Sequence, residues 1–347
     1  MPAAERPSPR PPLRPGLPRL SPRTVGLLAA VITVAVWTAF IVVSRASASH
    51  SLRPLDLGVA RICGASLVLL PWGLWLMRRE RRSNPGRAVG SLFGLSPLSL
   101  RVTLVAGAFG GVGYAMLAYS GFFHAPAAHA SVLMPGSLPL WTTLLAAWVL
   151  RDRITRARAI GLAFIVAGDL AVGGRSLLNA FDGGDVWKGD LMFMSAAFCW
   201  ACYSVVARHH KLDAVRATIA ITAFAFLTFV PVYALLAAGG WVASHLGTAP
   251  WREIAFQMVF QGVGSVVISG IAFTKMIQHF GPVRSTMITA LVPGLSALGA
   301  VVFLDEPLSW SLLVGLLLVT AGILFGVRGA ASASLVPVPV TARRCDA

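Results

Sequence analysis

Long apolar stretches, broken at intervals by short basic clusters, run through almost the whole chain. No charged residue occurs between Arg216 and Arg252, and further charge-poor runs cover 24–44, 62–77, 102–150, 191–207, 285–304 and 307–327. A hydrocarbon core about 30 Å thick is crossed by about 20 helical residues. The pattern therefore predicts an all-α polytopic membrane protein with ten transmembrane helices, at 24–43, 57–77, 102–121, 127–149, 158–174, 187–207, 216–238, 254–275, 284–303 and 308–327. The fifth is short.

The pattern also occurs twice. Trp37, Val42, Val43 and Arg45 return 163 positions later as Trp200, Val205, Val206 and Arg208. Gly110, Ala118, Ser131, Pro139, Leu150, Asp152, Gly161 and Gly168 return 154 positions later as Gly264, Ala272, Ser285, Pro293, Leu304, Glu306, Gly315 and Gly322. Two neighbouring offsets indicate one duplicated unit with a loop of altered length. The units are residues 24–174 and 187–328, five helices each. Five is odd, so the second copy starts on the opposite side, and the two five-helix repeats are inverted about an axis in the membrane plane.

Charge supplies the orientation. The 347 residues carry a formal net charge of +16, yet only 12% are charged, about half the share of a soluble domain. Of the 29 Lys and Arg, 23 fall in the two tails and the loops on one side, 5 on the other, and Arg61 lies inside the second helix. The positive-inside rule makes both termini cytoplasmic, in a multi-pass protein of the plasma (inner) membrane. This distribution assigns the positive charge to topology and lipid headgroups, not to nucleic acid. The loop Arg151-Asp152-Arg153 falls inside, and its acidic counterpart Asp305-Glu306-Pro307 outside. Residues 1–23, with eight prolines and five arginines, form a disordered cytoplasmic tail, and 329–347 a second tail. A cleaved signal peptide is the competing reading of the N-terminus, but the apolar run exceeds an h-region and Arg45 precedes the only small-residue motif.

The four cysteines form no disulfide framework. Cys199 and Cys202 have CxxC spacing within a span, with no second Cys or His pair to complete a metal set. No Walker A sequence surrounds Lys188, Lys211 or Lys275. No metal and no cofactor is expected.

The aromatic first helix of each copy, ending in a basic residue, and the proline-bearing fourth helix, ending in an acid, resemble the EamA-type drug/metabolite transporters. The stretches are Trp37 to Arg45, Leu138-Pro139-Leu140 to Asp152, Gly189-Asp190-Leu191 to Arg208, and Leu291-Val292-Pro293 to Pro307. The resemblance covers about 24–328. It implies a ten-helix carrier of small metabolites, commonly an exporter, and no particular substrate. The arginines flanking Asp152 depart from the acidic pair Asp305-Glu306.

Candidate site residues fall into four groups. Pro139 and Pro293 are expected helix breaks at matching places, where freed carbonyls need partners; a plain packing kink is the simpler account. Trp37 and Trp200 each lie eight residues before an arginine, about 12 Å inward, near the midplane rather than at the headgroups where Trp anchors usually sit. Either they pack the seam between repeats or they wall an aromatic cage extended by Tyr114, Tyr203, Tyr119 and Phe273. His129, Ser131, Gln257, Gln261 and Ser285 are polar groups in apolar helices, where they line a cavity or bond helix to helix. Lys275 and Arg284 are candidates for an electropositive inner vestibule, snorkelling being the alternative. Arg61 and Asp169, both towards outer helix ends, are expected to pair or to reach the interface. Small-residue faces at Gly161, Gly168, Gly315 and Gly322 are either homodimer surfaces or internal packing.

These readings predict a non-enzymatic secondary transporter moving an amino acid, metabolite or drug-like compound by alternating access. The alternative is an intramembrane enzyme acting on lipid or prenyl substrates, which would want clustered carboxylates or a His–acid pair in one helix.

Overall fold

The protein is described by a computed structural model, which covers residues 21–83, 90–179 and 184–333. Most of the two expected tails lies outside the described residues. The elements are α1 (Pro22–Ser47), α2 (Pro54–Ser83), α3 (Leu100–Phe122), α4 (Ala127–Val149), α5 (Arg156–Leu178), α6 (Val186–His209), α7 (Ala214–Ala238), α8 (Trp251–Thr289), α9 (Leu291–Leu304) and α10 (Trp310–Ala333). The described residues contain no strand beyond one bridge between Ser91 and Ser96. Among the described residues eight helices, α1 to α8, are long and apolar enough to cross a membrane; α9 and the apolar part of α10, Trp310–Gly326, are shorter.

Local chemistry sets several helix starts. Ser21 caps α1, accepting from the Thr24 amide at 3.1 Å, with Pro22 following in the first turn. Thr155 and Asp213 cap α5 and α7 in the same way, at 3.4 and 3.0 Å. The expected loop between 275 and 284 is not where the helical segment ends. Helix continues from Ser269 to Thr289, and the interruption falls at Ala290. Pro293 then stands third in α9, where an amide has no intrahelical acceptor to lose, so the helix starts just ahead of it. Pro139 and Pro135 sit inside α4, which runs on past both.

The glycines explain how closely the helices approach. A Cβ on Gly161 would lie 2.6 Å from the Gly322 carbonyl oxygen, and one on Gly322 would lie 2.6 Å from that of Gly161. Gly168 and Gly315 face each other in the same reciprocal way, at 2.8 and 2.9 Å. These four positions hold α5 against α10 inside one chain, so their small-residue faces are internal packing and not a dimer surface. The offset of 154 maps the first contact onto the second: Gly161 becomes Gly315, and Gly322 is the counterpart of Gly168. Between α2 and α8 the backbones meet: a Cβ on Gly64 would stand 2.0 Å from the Met258 carbonyl oxygen, and one on Gly262 would stand 2.6 Å from the Ala65 nitrogen.

Two helices contain π-helical stretches, Ala108–Gly113 in α3 and Met258–Ile268 in α8. Moved by 154, the first falls within the second. Such segments recur at functional sites.

The ends of α4 and α9 also match. Arg151 and Asp305, equivalent under the same offset, are both left-handed, with φ of 57° and 53°. The Asp152 amide donates to the Ala146 carbonyl at 3.3 Å, and the Glu306 amide to that of Ala300 at 3.2 Å. Each amide reaches back six positions around a left-handed residue, one position further than in a Schellman turn, and without glycine. This closure puts an acid at the same place beyond each helix.

Candidate substrate site

The two acids meet the two arginines crosswise. Glu306 accepts from Arg45 Nε at 3.4 Å, and from the Ala127 and Ala128 amides that open α4, both at 2.9 Å. Arg45 Nη1 also donates to the Phe122 carbonyl, at 2.7 Å, where α3 ends. Asp152 pairs with Arg208 Nη1 at 2.6 Å. Each repeat's arginine thus holds the other repeat's acid. Glu306 lies at the start of α4 and Asp152 just past its end, so the pairs are separated by 23 helical residues, or about 34 Å. They differ in setting: side-chain exposures are 34% and 12% for Arg45 and Glu306, but 60% and 28% for Arg208 and Asp152.

Between these ends runs a row of aromatic rings. Phe40 of α1 lies 6.5 Å from Tyr114 of α3; Tyr114 lies 5.0 Å from Trp200 of α6, and Trp200 lies 5.2 Å from Tyr203. Trp37 makes a separate contact, 5.1 Å from Phe273 of α8. The structure therefore brings Tyr114, Trp200 and Tyr203 together, and sets Trp37 against the opposite repeat. Both π-helical stretches border this region. Tyr114 directly follows one, and a Cβ on Gly110 within it would lie 2.6 Å from the Tyr203 ring.

Arg61 supplies the charge. Its guanidinium lies 5.5 Å over the Phe40 ring, and Nη1 donates to Ser265 Oγ at 3.1 Å and to Tyr119 Oη at 3.4 Å. Its contacts are thus on α1, α3 and α8, inside the bundle. It neither pairs with Asp169 nor points away to an interface, which corrects both sequence expectations. The reason is that α2 is flanked on this side by α3 and α8, so the side chain has hydroxyls and a ring face within reach. A lone arginine in an apolar helix was the available signal.

The polar candidates divide. Gln257 Nε2 donates to Ser47 Oγ at 2.8 Å, and Gln261 Nε2 to Ser44 Oγ at 3.2 Å, stitching α8 to α1. Their buried Oε1 atoms find no partner among the described residues. Ser131 Oγ donates to the Ala128 carbonyl of its own helix at 2.7 Å. His129 Nδ1 lies 2.8 Å from Asp190 Oδ1, and Asp190 also accepts from Ser176 Oγ. This ties α4, α6 and α5 together, a buried polar cluster that sequence did not foretell because its members are far apart in the chain. Ser285 is buried and engaged. Lys275 is exposed, and the Arg284 side chain lies outside the described residues.

Asp169 is buried, with neither carboxylate oxygen partnered among the described residues. An ionised carboxylate so placed is costly. Asp169→Asn is therefore expected to raise the melting temperature at pH 8 by a few degrees, read from a thermal melt of the detergent-solubilised protein; a lower melting temperature would mean the charge has a partner in solution.

An all-helical membrane protein whose two halves trade ion pairs around an aromatic interior has the build of a carrier. The chain belongs to the EamA-like transporter family, whose model matches residues 24–173 and again 187–328. It is 24% identical over 222 residues to the uncharacterized transporter YyaM of Bacillus subtilis (strain 168), covering 64% of this chain and 71% of that protein. It is 26% identical over 214 residues to a protein of Salmonella typhimurium named as a probable amino-acid metabolite efflux pump, covering 60% and 69%. A crystal structure described simply as that of a protein shares the fold, at 21% identity and a TM-score of 0.54, over 89% of this chain and 99% of its own.

Proposed function

We propose that this protein is a secondary transporter that exports a small metabolite by alternating access, with ten helices in two inverted five-helix repeats. The crossed pairs Arg45–Glu306 and Arg208–Asp152, at opposite ends of α4, carry this reading. The basic loops put the Arg208 end in the cytoplasm and the Arg45 end outside. Breaking Arg208–Asp152 while Arg45–Glu306 holds would admit solute from the cytoplasm to the aromatic row; the reverse would release it outside. Both pairs are formed here, as an occluded carrier requires. The π-helical stretches in α3 and α8 give the moving helices places where backbone bonding can shift register. The name of the Salmonella relative puts amino-acid-derived metabolites first on the panel of solutes.

The test is to seal each end in turn. In a background lacking native cysteines, Arg45 and Glu306 are both replaced by Cys, or Arg208 and Asp152 are, and a short reducible bifunctional thiol reagent joins each pair. Solute flux in reconstituted vesicles, compared with each unlinked double-Cys variant, is expected to stop with either end sealed and to return to that variant's own level on reduction. Flux that continues with one end sealed would refute alternating access.

A further inference from the structure

The guanidinium of Arg61 lacks a counter-charge. Among the described residues no carboxylate lies within salt-bridge distance of it. Asp56, on the same helix, is occupied: its carboxylate accepts from the Tyr233 hydroxyl and from the amides of Arg53 and His245. What surrounds Arg61 is neutral: the hydroxyls of Tyr119 and Ser265 and the face of Phe40. All its hydrogen bonds leave from Nη1, so Nε and Nη2 have no partner among the described residues, and neither is sealed from its surroundings. A guanidinium presents its donors as a planar fork that matches a carboxylate with two parallel bonds. An intramembrane cation facing the bundle interior marks a substrate path more often than a structural site.

The geometry next to it selects the rest of the molecule. Phe40 lies under the guanidinium, and from Phe40 the rings of Tyr114, Trp200 and Tyr203 continue in steps of 6.5, 5.0 and 5.2 Å. A flat apolar group extending from a carboxylate held at Arg61 would lie along these faces, where offset or tilted ring pairs are favourable. An added Cβ on Gly264, the neighbour of Ser265, would meet only the Val259 carbonyl oxygen, at 3.6 Å, whereas one on its counterpart in the other repeat, Gly110, would meet the Tyr203 ring.

We propose that Arg61 is the anion-anchoring residue of the transport site, and that the substrate is an organic carboxylate with a flat, apolar body lying along Phe40, Tyr114 and Trp200. The inference rests on the carrier reading above. Ser265 and Tyr119 hold the guanidinium in place. The charge is neutralised only when substrate is bound, so loaded and empty carriers differ in their ease of closing around the site.

The probes are phenylacetate and indole-3-acetate, each against its uncharged amide, with full-length protein in neutral detergent. Binding is read as ligand-dependent thermal stabilisation. The acids are expected to bind wild type at least tenfold more tightly than the amides. Arg61→Gln removes that preference; Arg61→Lys keeps the sign of the preference but loses about tenfold in affinity, since an ammonium lacks the fork. Equal binding of acid and amide by wild type, or an acid preference that survives Arg61→Gln, overturns the proposal. If Arg61→Gln does not fold, Arg61→Lys decides: unchanged affinity for the acids overturns it. Phosphatidylglycerol that stabilises wild type but not Arg61→Gln, while the acids do nothing, would make the group a lipid-headgroup site and also overturn it. Flux separates this inference from the carrier reading. Acids that bind through Arg61 but cross under no gradient leave the site standing and refute the carrier. Acids carried equally by wild type and Arg61→Gln leave the carrier standing and refute the anion site.

Discussion

Glu306→Ala is expected to reduce transport tenfold or more, while Asp152→Ala changes it by less than about threefold. The two acids are equivalents, yet their surroundings differ. The Glu306 carboxylate is 12% exposed and accepts from Arg45 and from two amides at the start of α4. Removing it leaves a part-buried cation and the two amides that open α4 without their acceptor, and hydrogen bonds to a charged group contribute about 1.5–3 kcal/mol each. That shifts the balance between closed and open at this end by about a hundredfold or more, and a carrier held open on one side does not cycle. Asp152 meets an arginine that is 60% exposed. Pairs in such settings contribute about 0.2–1 kcal/mol, a shift of at most about fivefold. The readout is flux in reconstituted vesicles, together with labelling of Ala128→Cys by an impermeant maleimide from the Arg45 side. Faster labelling is expected in Glu306→Ala alone. Equal effects of the two substitutions would show that burial does not set the strength of these contacts.

Gly64→Val is expected to be the most damaging single change in the bundle, costing more than about 3 kcal/mol, as overpacking against an unyielding neighbour does. The neighbour is decisive. At Gly64 a Cβ would meet backbone, the Met258 carbonyl oxygen at 2.0 Å, so α2 and α8 must separate. At Gly58 it would meet the Met116 methyl at 2.2 Å, the far end of a flexible side chain. Gly58→Ala should therefore lower the melting temperature less than Gly64→Ala. Gly64 lies one turn along α2 from Arg61, so a displaced α2 also removes the guanidinium from Ser265. Yield and thermal melting of the purified variants give the comparison; a Gly64→Val protein that melts like wild type would mean that the two helices lie further apart in solution.

Hydropathy and duplication are linear properties of a chain, and what depended on them was readable. The apolar runs locate each helix to within a few residues at most ends, and the offset of 154 singles out Asp152 and Glu306 before any contact is known. What was hidden depends on neighbours. Whether Arg61 turns outward or inward is set by α3 and α8 beside it, and nothing in the sequence of α2 encodes that choice. The His129–Asp190 contact joins residues 61 positions apart; His129 stands out in its apolar helix, but nothing in the sequence pairs it with Asp190. The π-helical stretches leave only clustered glycines as a trace, because a one-residue change in hydrogen bonding does not disturb an apolar pattern. The left-handed residues Arg151 and Asp305 carry no glycine signal either. Their mark is an acid two positions beyond a leucine, at the same place in both halves. The continued helix through Thr289 shows the opposite failure, where a loop was expected between 275 and 284 and the break fell at Ala290 instead.

The crossed arginine–acid pairs make this chain equivalent to a two-fold dimer whose protomers share one polypeptide. In a true homodimer any substitution would strike both ends together, and neither end could be favoured over the other by sequence. Joining the copies removed that constraint. One end became sheltered and many-bonded, and the other exposed and single-bonded. In the carrier proposed above, this unequal bonding would set which end rests closed, one residue at a time.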